Sequence, residues 1–103
     1  MNPAYQPGCV IKSKLGRDKG KYFMIYSYDG GDFVTLVDGA MRKQDAPKKK
    51  KIKHIEPTGV LLENLANKLQ AGVHLFDAEI RRALEDAGFS NKPGAPKKEV
   101  VSR

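Results

Sequence analysis

From Gly8 to Ile55 the apolar residues come as short runs broken by glycine or charge, a pattern of strands rather than helices. Cys9-Val10-Ile11 is the first such run. Lys21-Tyr22-Phe23-Met24-Ile25-Tyr26-Ser27-Tyr28 and Phe33-Val34-Thr35-Leu36-Val37 follow, both rich in aromatic and β-branched residues. Between them Asp29-Gly30-Gly31-Asp32 is a hairpin signal, because glycine tolerates the positive φ of a tight turn. Lys51-Ile52-Lys53-His54-Ile55 alternates as a further short strand. Several short strands within roughly fifty residues predict a small curled sheet or barrel. After Pro57 the period lengthens: Leu61, Leu62, Leu65 and Leu69 with Ala66 form one face of an amphipathic helix that Gly72 stops. Asp77 is the expected N-cap of a second helix with Ile80, Ala83, Leu84 and Ala87 as its stripe, closed by Gly88. Helices this short need a tertiary surface, so they are expected to pack on the barrel or on each other. The fold class is therefore mainly β, with an arm over residues 1–7, a barrel over 8–58, two short helices over 59–89 and a flexible tail over 90–103.

Composition narrows the function. The 103 residues carry 19 Lys or Arg against 12 Asp or Glu, a net charge of +7. Twelve cations and six carboxylates lie before Pro57, and seven and six after it, so nearly all the surplus sits in the strand-rich half. That clustering points to a polyanion, although lysines also simply keep small domains soluble. A single cysteine excludes an internal disulfide framework and suggests a reducing, cytoplasmic setting. No apolar run is long enough for a membrane span, and the N-terminus shows no secretory pattern. There is no Walker-type phosphate loop, no serine elbow and no supported Cys–His pair, so no enzyme, cofactor or small-molecule substrate is expected.

Within the basic half, Gly16 and Gly20 frame Arg17-Asp18-Lys19, with Lys14 and Lys21 beside them and Lys12 on the preceding strand. Two strands flanking this loop would present cations at a hairpin tip, suited to phosphates. Arg17 adds bidentate or stacking capacity, while Asp18 is read as orienting its neighbours. An ordinary polar hairpin has the same spacing. A second candidate region is Arg42 and Lys43 followed by Lys48, Lys49, Lys50, Lys51 and Lys53, where adjacent lysines cannot all point one way.

The segment Gly8-Cys9-Val10 through Gly16, Gly20 and Lys21, with Ile25 as the later aliphatic, resembles the KOW motif, an RNA-binding hairpin of ribosomal proteins and transcription elongation factors. Its continuation, Leu36-Val37-Asp38-Gly39, the lysine run and His54-Ile55-Glu56-Pro57-Thr58, is similar to the fourteen-e family of large-subunit ribosomal proteins and to small bacterial KOW proteins. Residues 77–85 resemble the end of the short archaeal members, so the likeness covers about residues 8–88. The resemblance implies an SH3-like barrel that binds ribosomal RNA without catalysis, with Gly8, Gly16 and Gly20 as hairpin glycines. The protein would be a monomer when free and ribosome-associated in the cytoplasm. The rivals are a KOW module docking on RNA polymerase or another factor, and a transient ribosome assembly or stress factor.

The remaining candidates are plainer. Tyr22, Tyr26 and Tyr28 share one strand face by alternation and are read as half-buried rather than base-stacking. His54 and His74 lack metal-ligand partners, Cys9 lacks a second thiol, and Cys9 is read as a small buried apolar residue. His54 is expected to pack at a strand end, and Glu79 and Glu85 to face solvent.

Overall fold

The computed structural model describes residues 3–91. Its centre is a five-stranded antiparallel sheet of β1 (Cys9–Ser13), β2 (Tyr22–Gly30), β3 (Phe33–Val37), β4 (Lys48–Lys51) and β5 (Ile55–Leu61), in the order β4-β3-β2-β1-β5. Two helices follow, α1 (Glu63–Gln70) and α2 (Asp77–Asp86). The two edge strands, β4 and β5, are joined by the 3-10 turn Ile52–His54 and do not pair, so the sheet is not closed.

The apolar runs explain why both faces of this sheet are covered. Successive strand residues point to opposite sides, so a continuous run supplies two faces at once. Ile11, Phe23, Ile25, Val34, Leu36 and Ile55, with Cys9, form one buried core. Their neighbours Val10, Met24 and Val37 face the other way and pack under Leu65 of α1, Leu75 of the connecting loop, and Ile80 and Leu84 of α2. The helices thus find their partner surface on the sheet. Cys9 is buried as expected, and burial pushes its thiol up, against a smaller opposing effect of the Gln6 backbone.

Several boundaries differ from the sequence reading. β5 runs through Pro57 to Leu61, where the periodicity suggested that the sheet had ended. Proline is tolerated because β5 is an edge strand paired only with β1. An irregularity in that ladder is bridged by Thr58, whose hydroxyl donates to the Val10 carbonyl (2.9 Å) and accepts from Val60 N–H (3.2 Å). In the lysine run, β4 begins at Lys48, and residues 52–54 turn rather than extend. Residues 3–7 are not a loose arm: Pro3–Tyr5 forms a 3-10 turn, and Tyr5 packs on the first core. The expected tail starts late, because the Asn91 side chain receives a bond from Tyr22 N–H (2.8 Å) and donates to the Tyr22 carbonyl (2.7 Å). The rest of that tail, residues 92–103, lies outside the described residues.

Asp77 does not cap α2. It begins the helix, and its carboxylate accepts from the Gln44 backbone (3.0 Å) and side chain (3.2 Å), tying the β3–β4 connection to the helix. The cap is made by Glu79, which reaches back to Phe76 N–H (3.0 Å) and also takes the Lys68 ammonium of α1 (2.8 Å). Glu79 is therefore not simply solvated. Gly39, with φ +78°, fits where nothing larger would: a Cβ there would collide with the Asp77 carbonyl oxygen and lie 2.7 Å from Arg81 N.

Candidate nucleic-acid interface

The β1–β2 hairpin loop is built by backbone bonds that follow from its glycines. Gly20 N–H donates to Ser13 O (2.8 Å), Lys19 N–H to Gly16 O (3.2 Å) and Lys21 N–H to Asp18 O (2.9 Å). Gly16 and Gly20 both adopt positive φ. This fold of the loop leaves Lys14, Leu15, Arg17 and Lys19 exposed while turning Asp18 inward to 8 % exposure.

Asp18 meets the lysine strand. Lys48 Nζ lies 2.9 Å from Asp18 Oδ2 as an ion pair, although no aligned hydrogen bond reaches that buried oxygen. Two residues on, Lys50 Nζ donates to the Leu15 carbonyl at 2.8 Å, and just beyond β4 the His54 carbonyl accepts from Lys14 N–H at 2.9 Å. The open sheet therefore curls until the two cationic regions of the sequence adjoin. Side-chain alternation divides the run: Lys48 and Lys50 turn towards the hairpin loop, while Lys49 and Lys51 are exposed.

Electrostatics follow from this crowding. The adjoining Lys48 ammonium holds the Asp18 carboxyl below its ordinary range, opposed by burial and helped by Arg42 and Lys50. Lys50 is lowered, first by loss of hydration and then by repulsion from Lys48, with Asp18 opposing. His54 is lowered too, first by loss of hydration and then by Lys53, Lys50, Lys51 and Lys14. The ionised Asp18 neutralises part of a positive field that would otherwise push the loop off β4.

A pH dependence follows. The folded pKa of Asp18 lies below the unfolded value of about 4, so its stabilisation is complete above that pH and lost as pH falls through the folded value. Asp77, held down chiefly by the Gln44 amide, and Glu79, chiefly by Lys68, are lowered in the same direction. The stability advantage of wild type over Asp18→Asn, measured by urea unfolding, is expected to shrink between about pH 5 and pH 2. A constant difference would mean that Asp18 does not stabilise the fold through its charge.

The remaining candidates are dispersed. Lys53 is exposed in the turn after β4, close to the hairpin through His54. Arg42 is half-buried and near enough to Asp18 to act on it, whereas Lys43 is exposed and acts on Asp77. Lys21 is half-buried, its Nζ 3.5 Å from Met41 Sδ, and Lys12 holds its ammonium 6.0 Å from the Tyr22 ring. Gly8 stands at the opposite end of β1 from the loop. A Cβ at Gly8 would lie 2.5 Å from that of Ala66, so it serves close packing against α1.

The tyrosines do not share a face. The β2–β3 ladder shifts register between Ile25 and Ser27, which puts Tyr26 with Tyr22 on the helix-covered side and Tyr28 on the first core. All three are half-buried. Phe33, at the start of β3, belongs to neither core; its ring lies 4.8 Å from Lys49 Nζ and 5.7 Å from Lys51 Nζ. Only the pairing of β3 with β4, Phe33 opposite Lys51 and Thr35 opposite Lys49, reveals that grouping. Among the described residues no group of three His, Cys, Asp or Glu side chains could hold a metal, and no helix is long and apolar enough to cross a membrane. No protein-family model matches the chain, and no curated protein matches it.

Proposed function

We propose that this chain is a non-catalytic RNA-binding protein of the KOW type, with ribosomal RNA as its target and structured phosphate backbone as the feature it grips. The convergence of the β1–β2 loop with the lysine strand, made by Lys48 on Asp18 and Lys50 on Leu15, carries the reading. Six exposed cations, Lys14, Arg17, Lys19, Lys49, Lys51 and Lys53, then lie on the loop and on the strand and turn that adjoin it, with Asp18 paired to Lys48 between them. In this reading the curled five-stranded sheet is an SH3-like barrel whose last ladder is replaced by those side-chain and loop contacts.

Binding through phosphates releases counterions, so affinity depends on salt in a countable way. Six contacts at ~0.7 each give a log–log slope near −4. Binding of the full chain to ribosomal RNA fragments across a salt series measures it, and a slope near zero would refute phosphate recognition. In cells, crosslinking followed by sequencing of the bound RNA is expected to recover discrete ribosomal segments. Association with RNA polymerase that survives nuclease and high salt, with no RNA recovered, would favour a protein-docking module instead.

A further inference from the structure

We propose that Phe33, flanked by Lys49 and Lys51, is a stacking platform for an unpaired nucleobase, so that the site takes a single-stranded RNA nucleotide beside the phosphates gripped at the hairpin. The inference deepens the RNA-binding reading and rests on it. Among the described aromatic residues only Phe33 and Phe76 lie outside both cores. Phe76 is 65 % exposed but sits beside His74 and the carboxylates of Asp77 and Glu79, a poor setting for a polyanion. Phe33 also follows a carboxylate, Asp32, but two ammonium groups lie over its ring. Its ring is half-exposed on β3, and the alternation of β4 brings the Nζ atoms of Lys49 and Lys51 over it. Neither ammonium is paired with a carboxylate among the described residues.

Two mutually repelling ammoniums near one ring give a modest attraction in water, which a phosphate can outbid. When a nucleotide arrives, its phosphate draws the lysines outward and uncovers the ring for the base. Every base has a π-face, so the platform selects for unpaired over paired bases rather than for sequence. A duplex keeps its bases stacked internally and offers Phe33 nothing. Tyr22, Tyr26 and Tyr28, being packed on the cores, lack this freedom.

The test compares the full chain with Phe33→Ala and Phe33→Trp, each checked for folding by thermal melting. The ligands are oligouridylate, an abasic ribose–phosphate oligomer of equal length, and an RNA duplex. Wild type is expected to bind oligouridylate about tenfold more tightly than the abasic oligomer, the scale of one stacked base. Phe33→Ala should erase that difference with its salt slope unchanged, and Phe33→Trp should keep it. Tight binding to all three ligands with no loss in Phe33→Ala would overturn the platform while leaving phosphate recognition standing. Failure of wild type to bind any of them would remove both.

Discussion

Replacing Lys14, Arg17 and Lys19 by alanine is expected to lower the salt slope of RNA binding from about −4 to about −2, at ~0.7 per lost phosphate contact. Because the two lines converge near molar salt, the same change should weaken binding about 50-fold at ~0.15 M salt. These three side chains suit the test because all are exposed and none makes a side-chain hydrogen bond or ion pair among the described residues. The triple variant should therefore melt close to wild type, surface changes being worth only a few tenths of a kcal/mol each. The contrast with Lys48→Ala is instructive. Lys48 faces Asp18, so its loss leaves a buried carboxylate uncompensated and should loosen the hairpin loop before it alters any contact with RNA. A triple variant that folds and keeps the wild-type slope would place the RNA elsewhere on the protein.

The second large effect concerns stability. Gly39→Ala is expected to cost about 3–5 kcal/mol in urea unfolding, whereas Gly20→Ala should cost about 1. Both glycines have positive φ, +78° and +87°, so the backbone strain imposed on alanine is similar. Their surroundings differ. Nothing lies within 4 Å of a Cβ at Gly20, while one at Gly39 strikes the backbone of α2 at Asp77 and Arg81. Backbone cannot move aside as a side-chain tip can, so α2 must shift from its seat, where its Ile80 and Leu84 pack on Val10, Met24 and Val37. The difference between the two variants isolates helix docking from turn strain. Equal losses would mean that α2 docks with enough slack to absorb a methyl group.

Much of the architecture was legible because it depends on near neighbours. The runs Cys9-Val10-Ile11 and Phe23-Met24-Ile25 read as strands, and the Leu65–Leu69 and Ile80–Leu84 spacings as helix stripes, as the structure has them. Local preference gave way where a distant partner intervened. Pro57 ended nothing because β5 occupies an edge, and Asp77 gave up its capping role because Gln44 offered two donors. Tyr28 left its predicted face because the β2–β3 ladder slips at Tyr26, a shift that alternation by itself cannot register. The lysine-flanked position of Phe33 was not legible either, because an isolated strand gives no sign of which lysines will pair beside it.

The candidate site divides along the same line. Reading along the chain already puts the positive charge in the strand-rich half, frames a turn with Gly16 and Gly20, and places a lysine run after it. These are properties of composition and of φ preferences spanning a few residues. That the lysine run folds back on the turn is a product of long-range contact, the Lys50–Leu15 bond 35 residues apart and the Lys48–Asp18 pair. Long-range pairing also sets which lysines are exposed, because the β3–β4 ladder turns Lys48 and Lys50 inward and Lys49 and Lys51 outward. Charge can be counted along a chain, but its usable surface exists only once the sheet has curled, since burial and pairing are set by atoms the local sequence does not contain.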